Sequence, residues 1–136
     1  MKEKTEKMGS LTGKGEERVS VKWEDGSSYE GDLLDGKFHG QGVYVWPNGD
    51  KFSGIWKNGK KDGDGCFSRP NGFVFIGFFS DDVPNGKGFY IGPDGTTFSG
   101  NWKGGEQNGH GILRDNDESI VYYGPWKNGA PTNFTS

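Results

Sequence analysis

Few residues in this sequence have side chains suited to catalysis. A histidine pair can act as general acid and base, and a cysteine beside a histidine can act as a nucleophile. The chain of 136 residues has two histidines, His39 and His110, and one cysteine, Cys66. A single cysteine excludes an intrachain disulfide framework, and no Cys/His cluster shows the spacing of metal ligands. A catalytic role therefore requires a fold that brings these three residues together.

Two further patterns superficially resemble ligand-binding motifs. Gly-x-Gly elements recur along the chain, and their glycines are Gly40/Gly42, Gly63/Gly65, Gly86/Gly88 and Gly109/Gly111. A nucleotide loop of this kind needs a helix N-terminus after it to receive the phosphate, whereas a strand-like segment follows here. Asp115, Asp117 and Glu118 could attract a cation, but their segment lacks the glycine and the distant glutamate of a calcium loop. We therefore predict neither a bound cofactor nor a metal site.

The spacing of glycine indicates an internal repeat. Four columns of glycine recur every 23 residues without a slip, and two columns of bulky residues keep the same interval. The two clearest glycine columns are followed here by the two bulky columns: Gly31, Gly54, Gly77 and Gly100; Gly42, Gly65, Gly88 and Gly111; Tyr29, Phe52, Phe75 and Phe98; Leu33, Trp56, Phe79 and Trp102. Tyr122 and Trp126 continue the bulky columns one residue late, which locates a one-residue insertion in the turn before them.

The columns divide the chain into segments. Residues 1–18 form a Lys/Glu-rich tail that we expect to be disordered. The repeat array covers residues 19–130, and residues 131–136 form a C-terminal tail. Within the array we place a half repeat at 19–28, full repeats at 29–51, 52–74, 75–97 and 98–121, and a partial repeat at 122–130.

Each repeat is predicted to form a β-hairpin. Two stretches of about six residues are separated by turn clusters such as DGKFHG and PNGD. No stretch free of glycine and proline shows the apolar period of an α-helix. We therefore predict an all-β fold, an elongated single antiparallel sheet of about ten short strands built from tandem 23-residue hairpins. Alternation along a strand places Tyr29, Gly31 and Leu33 on one face, where we expect glycines to form a floor for aromatic rings.

Three segments resemble MORN repeats, whose pattern is roughly Y-x-G-x-W-x-x-G-x-x-x-G-x-G: YEGDLLDGKFHGQGVYVWPNGD, FSGIWKNGKKDGDGCFSRPNG and FSGNWKGGEQNGHG. The resemblance covers about residues 19–130. Leu33 and Phe79 depart from it by replacing the tryptophan, Asp82 replaces the turn glycine, and Glu118 interrupts the P-x-G turn. The resemblance implies a non-enzymatic scaffold or adaptor that binds other proteins in the cytoplasm, most specifically in a ciliary or flagellar axoneme or a cytoskeletal assembly.

The predicted sheet keeps the candidate catalytic residues apart. His39 and His110 occupy turns three repeats from each other, roughly 30 Å along the sheet, so they cannot share one site. Cys66 falls in a column with Val43, Phe89 and Ile112, which is typical of a packing residue rather than a nucleophile. We therefore expect no catalytic residues and no enzymatic activity.

Two surfaces are candidates for binding a protein partner. The first is the aromatic face, where in relatives of this kind a groove can hold an extended or helical segment; its residues are Tyr29, Phe52, Trp56, Phe75, Phe98, Trp102, Tyr122 and Trp126. The alternative is that these rings serve only to cover the glycines. The second surface is the opposite face of the third repeat, centred on Phe78 with Phe89 and Ile91, which could bind a partner or a second copy of the chain. There the alternative is that terminal segments fold over the middle of the array.

The charged residues favour neither nucleic acid nor secretion. The net charge is −3, and the N-terminus alternates lysine and glutamate without the apolar core of a signal peptide. Lys57, Lys60 and Lys61 form the clearest basic cluster, and the resemblance raises the alternative of a membrane-proximal module that binds anionic lipid such as a phosphoinositide. A third alternative is a regulatory partner of an enzyme encoded elsewhere.

Overall fold

A computed structural model describes residues 3–10 and 16–132 of the chain. These residues contain strands and no helix. The strands are β1 (Glu3–Ser10), β2 (Glu16–Trp23), β3 (Ser28–Leu34), β4 (Lys37–Val45), β5 (Lys51–Lys57), β6 (Lys60–Ser68), β7 (Val74–Ser80), β8 (Val83–Ile91), β9 (Thr97–Lys103), β10 (Glu106–Arg114), β11 (Ile120–Lys127) and β12 (Ala130–Pro131).

All the described strands belong to one sheet whose spatial order is the order of the sequence, from β1 to β12. Each strand runs antiparallel to its neighbours, and each full repeat contains one hairpin, such as β5 and β6 in residues 52–74. The predicted all-β fold of tandem hairpins in a single antiparallel sheet is confirmed. The sheet has twelve strands rather than about ten, because β1 and the two-residue β12 add one strand at each edge.

The N-terminal segment differs from the disordered tail that its composition predicted. Residues Glu3–Ser10 form β1, which pairs with β2, and residues 16–18 are already part of β2. Without β1, β2 would leave a row of unpaired backbone groups at the edge of the sheet, and a strand supplied by the same chain satisfies them. The rest of the predicted N-terminal tail, residues 1–2 and 11–15, lies outside the described residues, as do residues 133–136 of the C-terminal tail.

The hairpin turns keep one geometry even where their glycine is replaced. In most turns between the two strands of a repeat, an Asp or Asn with φ near 50° precedes a glycine that also has positive φ, as at Asp35 and Gly36, and in the fourth repeat Gly104 takes the first position with φ 58°. In the third repeat Asp82 takes the glycine's place with φ 77°. Its Oδ1 accepts a hydrogen bond of 2.8 Å from the backbone N–H of Lys61, which helps to hold this strained residue in the turn.

The core of the sheet is a layer of aromatic rings that lie on glycines. Tyr29, Phe52 and Phe98 are fully buried, and Gly54 and Gly65 lie directly opposite each other beneath the Phe52 ring. A Cβ atom built on Gly65 would lie 2.5 Å from Cε1 of Phe52, closer than real Cβ atoms approach their neighbours. The same close approach recurs within the next two repeats, where Gly88 lies under Phe75 and Gly111 under Phe98, so the predicted glycine floor is confirmed. We call this side of the sheet the ring face and the opposite side the second face.

Candidate interaction surfaces

The residues with catalytic side chains lie far apart on the sheet. His39 is on β4 and His110 is on β10, six strands away, which corresponds to about 29 Å. Cys66 lies on β6 between Ser53 and Ile76 of the neighbouring strands. Within residues 16–132, no group of three His, Cys, Asp or Glu side chains is arranged to hold a metal ion.

On the ring face, most of the predicted partner-binding residues are buried in the packed core of the sheet. Tyr29, Phe52, Trp56, Phe75, Phe98 and Trp126 are buried, and Trp102 and Tyr122 are half-buried. Trp56 shows how tightly they are held. Its Nε1 donates a hydrogen bond of 3.1 Å to the carbonyl oxygen of Gly42, and its ring meets that of Phe52 edge to face at 5.2 Å. These rings therefore serve mainly to pack the sheet, and of the eight only Trp102 and Tyr122 are more than slightly exposed to solvent.

A second tier of rings lies over the buried ones, and the sequence reasoning did not single it out. Phe38 stacks flat on Tyr29 with ring centroids 3.8 Å apart, and Tyr44 packs on the same cluster. The signal was present as another column at the 23-residue interval, with members Tyr44, Phe67 and Tyr90. The solvent-facing part of the ring face is formed by this tier, which comprises Trp23, Phe38, Tyr44, Trp46, Phe67, Phe73 and Tyr90.

Two shallow hollows open on the ring face. One of about 240 Å³ is lined by Lys61, Phe67, Phe73, Phe75, Phe79, Asp82, Pro84 and Trp102. The other, of about 330 Å³, is lined by Trp23, Phe38, Tyr44, Trp46, Trp56, Gly59, Lys61 and Asp82. Lys61 and Asp82 belong to both. The Lys61 Nζ atom lies 3.7 Å from Asp82 Oδ1 and 5.4 Å from the centroid of the Trp46 ring, so an ion pair separates the hollows.

The basic cluster that suggested lipid binding faces carboxylates. Lys60 makes an ion pair of 3.0 Å with Asp81, whose hydrogen bond and charge raise the pKa of Lys60. Lys61 is directed towards Asp82 and the aromatic rings, while Lys57 is exposed. Two of the three positive charges are thus opposed by negative ones within the same pair of turns. Binding of anionic lipid by these lysines stays a prediction.

The second face carries apolar side chains on β7 and β8. The register places Ile76 opposite Phe89, Val74 opposite Ile91, and Phe78 beyond Ile76 on the same strand. Ile76 is 53% exposed, Phe78 44% and Ile91 38%, while Phe75 and Phe79 of the same strand are buried on the ring face. The third repeat therefore has apolar side chains on both faces, as its sequence predicted.

The apolar part of the second face extends further than the sequence analysis proposed. Ile112 of β10 and Tyr123 of β11 lie directly opposite each other on this face, and Tyr123 is 70% exposed. Ile120 and Val121 are exposed beside a register shift in the same pair of strands. The described terminal strands β1 and β12 lie at the two edges of the sheet, where they extend it rather than cover this face.

The strand order, the repeated turns and the ring columns define a tandem β-hairpin repeat protein. The family model of the MORN repeat matches four tandem segments, at residues 29–51, 52–74, 75–97 and 98–120. The chain belongs to the MORN-repeat family. The matched segments begin where the glycine columns place the full repeats, and the last ends at residue 120 rather than 121. No curated protein matched the chain.

MORN repeats are generally non-enzymatic modules and are often involved in interactions or membrane association. No helix in the described part of the chain combines the length and apolar character needed to cross a membrane.

Proposed function

We propose that this chain is a non-enzymatic scaffold that binds another protein through the second face of its C-terminal half. The observation that carries the proposal is the cluster formed by Ile76, Phe78 and Ile91, which are all more than a third exposed and lie on one face of two adjacent strands. Contiguous apolar patches on a soluble protein are typical of interaction sites.

The repeats themselves provide an internal comparison. The position of Ile76 is occupied by Ser53 one repeat earlier and by Ser99 one repeat later, and that of Phe78 by Ile55 and Asn101. The glycine floor is the same in these repeats, so packing of the ring face does not require Ile76 to be apolar. A requirement for binding would explain an apolar residue at an exposed position where its counterparts are serines.

The setting of this scaffold follows from the resemblance to other MORN proteins. We propose a cytoplasmic assembly, with a ciliary axoneme or the cytoskeleton as its most specific form. A homodimer through the third repeat is one form that the contact could take, because the same patch is present on every copy of the chain.

The proposal is tested by comparing Phe78→Lys with Ser53→Lys. Phe78 lies in the apolar patch, whereas Ser53 lies on the same face two strands away on β5, outside the patch, between Val43 and Cys66. Both variants place a charge on an outward-facing strand position, so both should retain the native thermal transition.

Affinity purification of the full chain with mass spectrometry, together with sedimentation velocity, gives the readout. We expect Phe78→Lys to lose a partner protein or a dimer that Ser53→Lys retains. Identical sets of partners and identical sedimentation for the two variants and the native chain would show that the second face is not the contact.

A further inference from the structure

The second face has a depression along β9, because the side chains of β9 on this face are short and polar while those of the neighbouring strands are larger. Thr97, Ser99 and Asn101 of β9 lie on this face, with Phe89 of β8 on one side and Ile112 of β10 on the other. Two hollows meet at Ser99, with volumes of about 400 Å³ and 720 Å³. Both are lined by Phe89, and the larger one also reaches Ile112. Together they form a trough along β9, which we call the β9 trough.

The dimensions of the β9 trough match an α-helix. The backbones of its walls, β8 and β10, are two strand spacings apart, about 9.6 Å, and a helix with its side chains is about 10–12 Å wide, so a helix would lie over the trough and insert one row of side chains between the walls. The floor strand has seven residues, or about 23 Å, which corresponds to about 15 residues of helix. A helix also satisfies its own backbone hydrogen bonds, whereas an extended segment lying on a sheet face would leave its backbone groups unpaired.

The two ends of the β9 trough differ in charge. At one end the larger hollow is lined by Arg114, Asp115, Asp117 and Glu118, and Asp94 lies in the adjoining turn. A backbone hydrogen bond from Thr96 lowers the pKa of Asp94, so this carboxyl stays ionised at neutral pH.

At the other end Lys87 lines the smaller hollow, and Lys103 lies opposite Glu106. The first end is therefore strongly acidic, and the second carries a small excess of positive charge. The N-terminus of a helix is the positive end of its dipole, so a helix in the trough is favoured with its N-terminus at the acidic end.

We propose that the β9 trough binds an amphipathic α-helix of a partner protein, about 15 residues long, with an apolar stripe against Phe89 and Ile112 and with its N-terminal, basic end beside Asp115, Asp117 and Glu118. This inference rests on the proposed function, since it names the kind of partner that the second face takes. The direction of the helix follows from the charges at the two ends of the trough. The depth of the trough follows from the short side chain of Ser99.

Two peptides test the proposal, both 15 residues long with leucines on one stripe. One has lysines in its N-terminal half and glutamates in its C-terminal half, and the other has the reverse. Lysines near a helix N-terminus weaken a free helix. Both peptides therefore carry a hydrocarbon staple on the outward side, and circular dichroism verifies that they are equally helical.

Binding is measured by fluorescence anisotropy with the full chain, and with Ser99→Phe and Ser53→Phe. The phenylalanine at position 99 fills the trough. The same change at position 53, two repeats earlier, lies outside it. We expect the lysine-first peptide to bind with a Kd below about 1 mM and about fivefold more tightly than its reverse. We expect Ser99→Phe to weaken it by about tenfold or more and Ser53→Phe to leave it unchanged.

Equal binding of the two peptides, or equal effects of Ser99→Phe and Ser53→Phe, would overturn the proposal. A dimer that dissociates in Ser99→Phe would also overturn it, because the occupant would then be a second copy of the chain. If neither peptide binds while Phe78→Lys still loses its partner, the helix in the trough is refuted and the scaffold function stands. If Phe78→Lys changes nothing and neither peptide binds, both are refuted.

Discussion

The replacement of Gly65 by alanine tests whether the glycines support the ring layer. In an ordinary strand, glycine to alanine is expected to stabilise the fold by about 0.5–1 kcal/mol, because glycine loses the most backbone entropy on folding. Gly65 lies outside the left-handed region of φ, so its backbone accepts alanine. The structure nevertheless predicts the opposite sign, since the added Cβ would lie 2.5 Å from Cε1 of Phe52.

The Phe52 ring has little room to move away. To restore an ordinary contact distance it must shift by about 1 Å. Its ring meets those of Trp56 at 5.2 Å and Phe79 at 5.0 Å, so the shift disturbs both neighbours. Overpacking of this kind costs about 1–3 kcal/mol, and after the entropic gain we expect Gly65→Ala to lower the free energy of unfolding by roughly 1 kcal/mol.

Urea denaturation followed by tryptophan fluorescence measures this change. Gly36→Asn is the control, because a Cβ at this turn position meets no atom within 4 Å and asparagine tolerates positive φ. A double-mutant cycle with Phe52→Leu isolates the clash, and we expect a favourable coupling of about 1 kcal/mol or more because the smaller side chain makes room for the Cβ. A neutral or stabilising Gly65→Ala, or strictly additive effects in the cycle, would refute the glycine-floor argument.

Two further predictions concern single strained or polar residues. Glu118 has φ 65° at a turn position where earlier repeats have glycine, so Glu118→Gly should raise the free energy of unfolding by about 0.5–1 kcal/mol, seen as a higher Tm by calorimetry; an unchanged or lower Tm would contradict this. Tyr29 donates a hydrogen bond of 2.7 Å to the carbonyl oxygen of Asp32, so Tyr29→Phe should cost about 1 kcal/mol in urea denaturation at pH 7. Desolvation raises the pKa of Tyr29 from 10.0 to about 12, so its contribution is complete below pH 10 and declines between pH 10 and 12, as the unfolded chain ionises first. Denaturation at several alkaline pH values should therefore show a weaker decline for Tyr29→Phe than for the native chain, and equal slopes would exclude this role for Tyr29.

The period of the glycines was sufficient to predict the fold, because strand pairing here follows the order of the sequence. It was not sufficient to predict which side chains meet across strands. The β9 trough depends on Ser99 lying directly between Phe89 and Ile112, and this register is altered along β10 by a bulge between Gln107 and Gly111. Residues one repeat apart do not reveal which side chains are neighbours across strands. Ser99 belongs to one column, whereas Phe89 and Ile112 both belong to another.

Other features escaped the sequence reasoning for different reasons. The strand β1 has the composition of a disordered tail, and its pairing is explained by the edge of β2 rather than by its own residues. The ring of Phe38 covers that of Tyr29 from the next strand, but the equivalent positions are Lys61, Pro84 and Gln107, so no conserved type marks this contact along the repeats. The chemistry of the position changes from repeat to repeat while the backbone does not.

The strand order also has a mechanical consequence. The first and last described strands, β1 and β12, lie at opposite edges of the sheet, so tension applied through them passes across every strand-to-strand interface in series. The force then acts along the hydrogen bonds in an unzipping geometry. The strand pairs separate one at a time, whereas in a shear geometry many hydrogen bonds are loaded at once. Stretched by its ends, this chain should lengthen in many small steps at low force and recover them in the same way, which would make it a compliant tether.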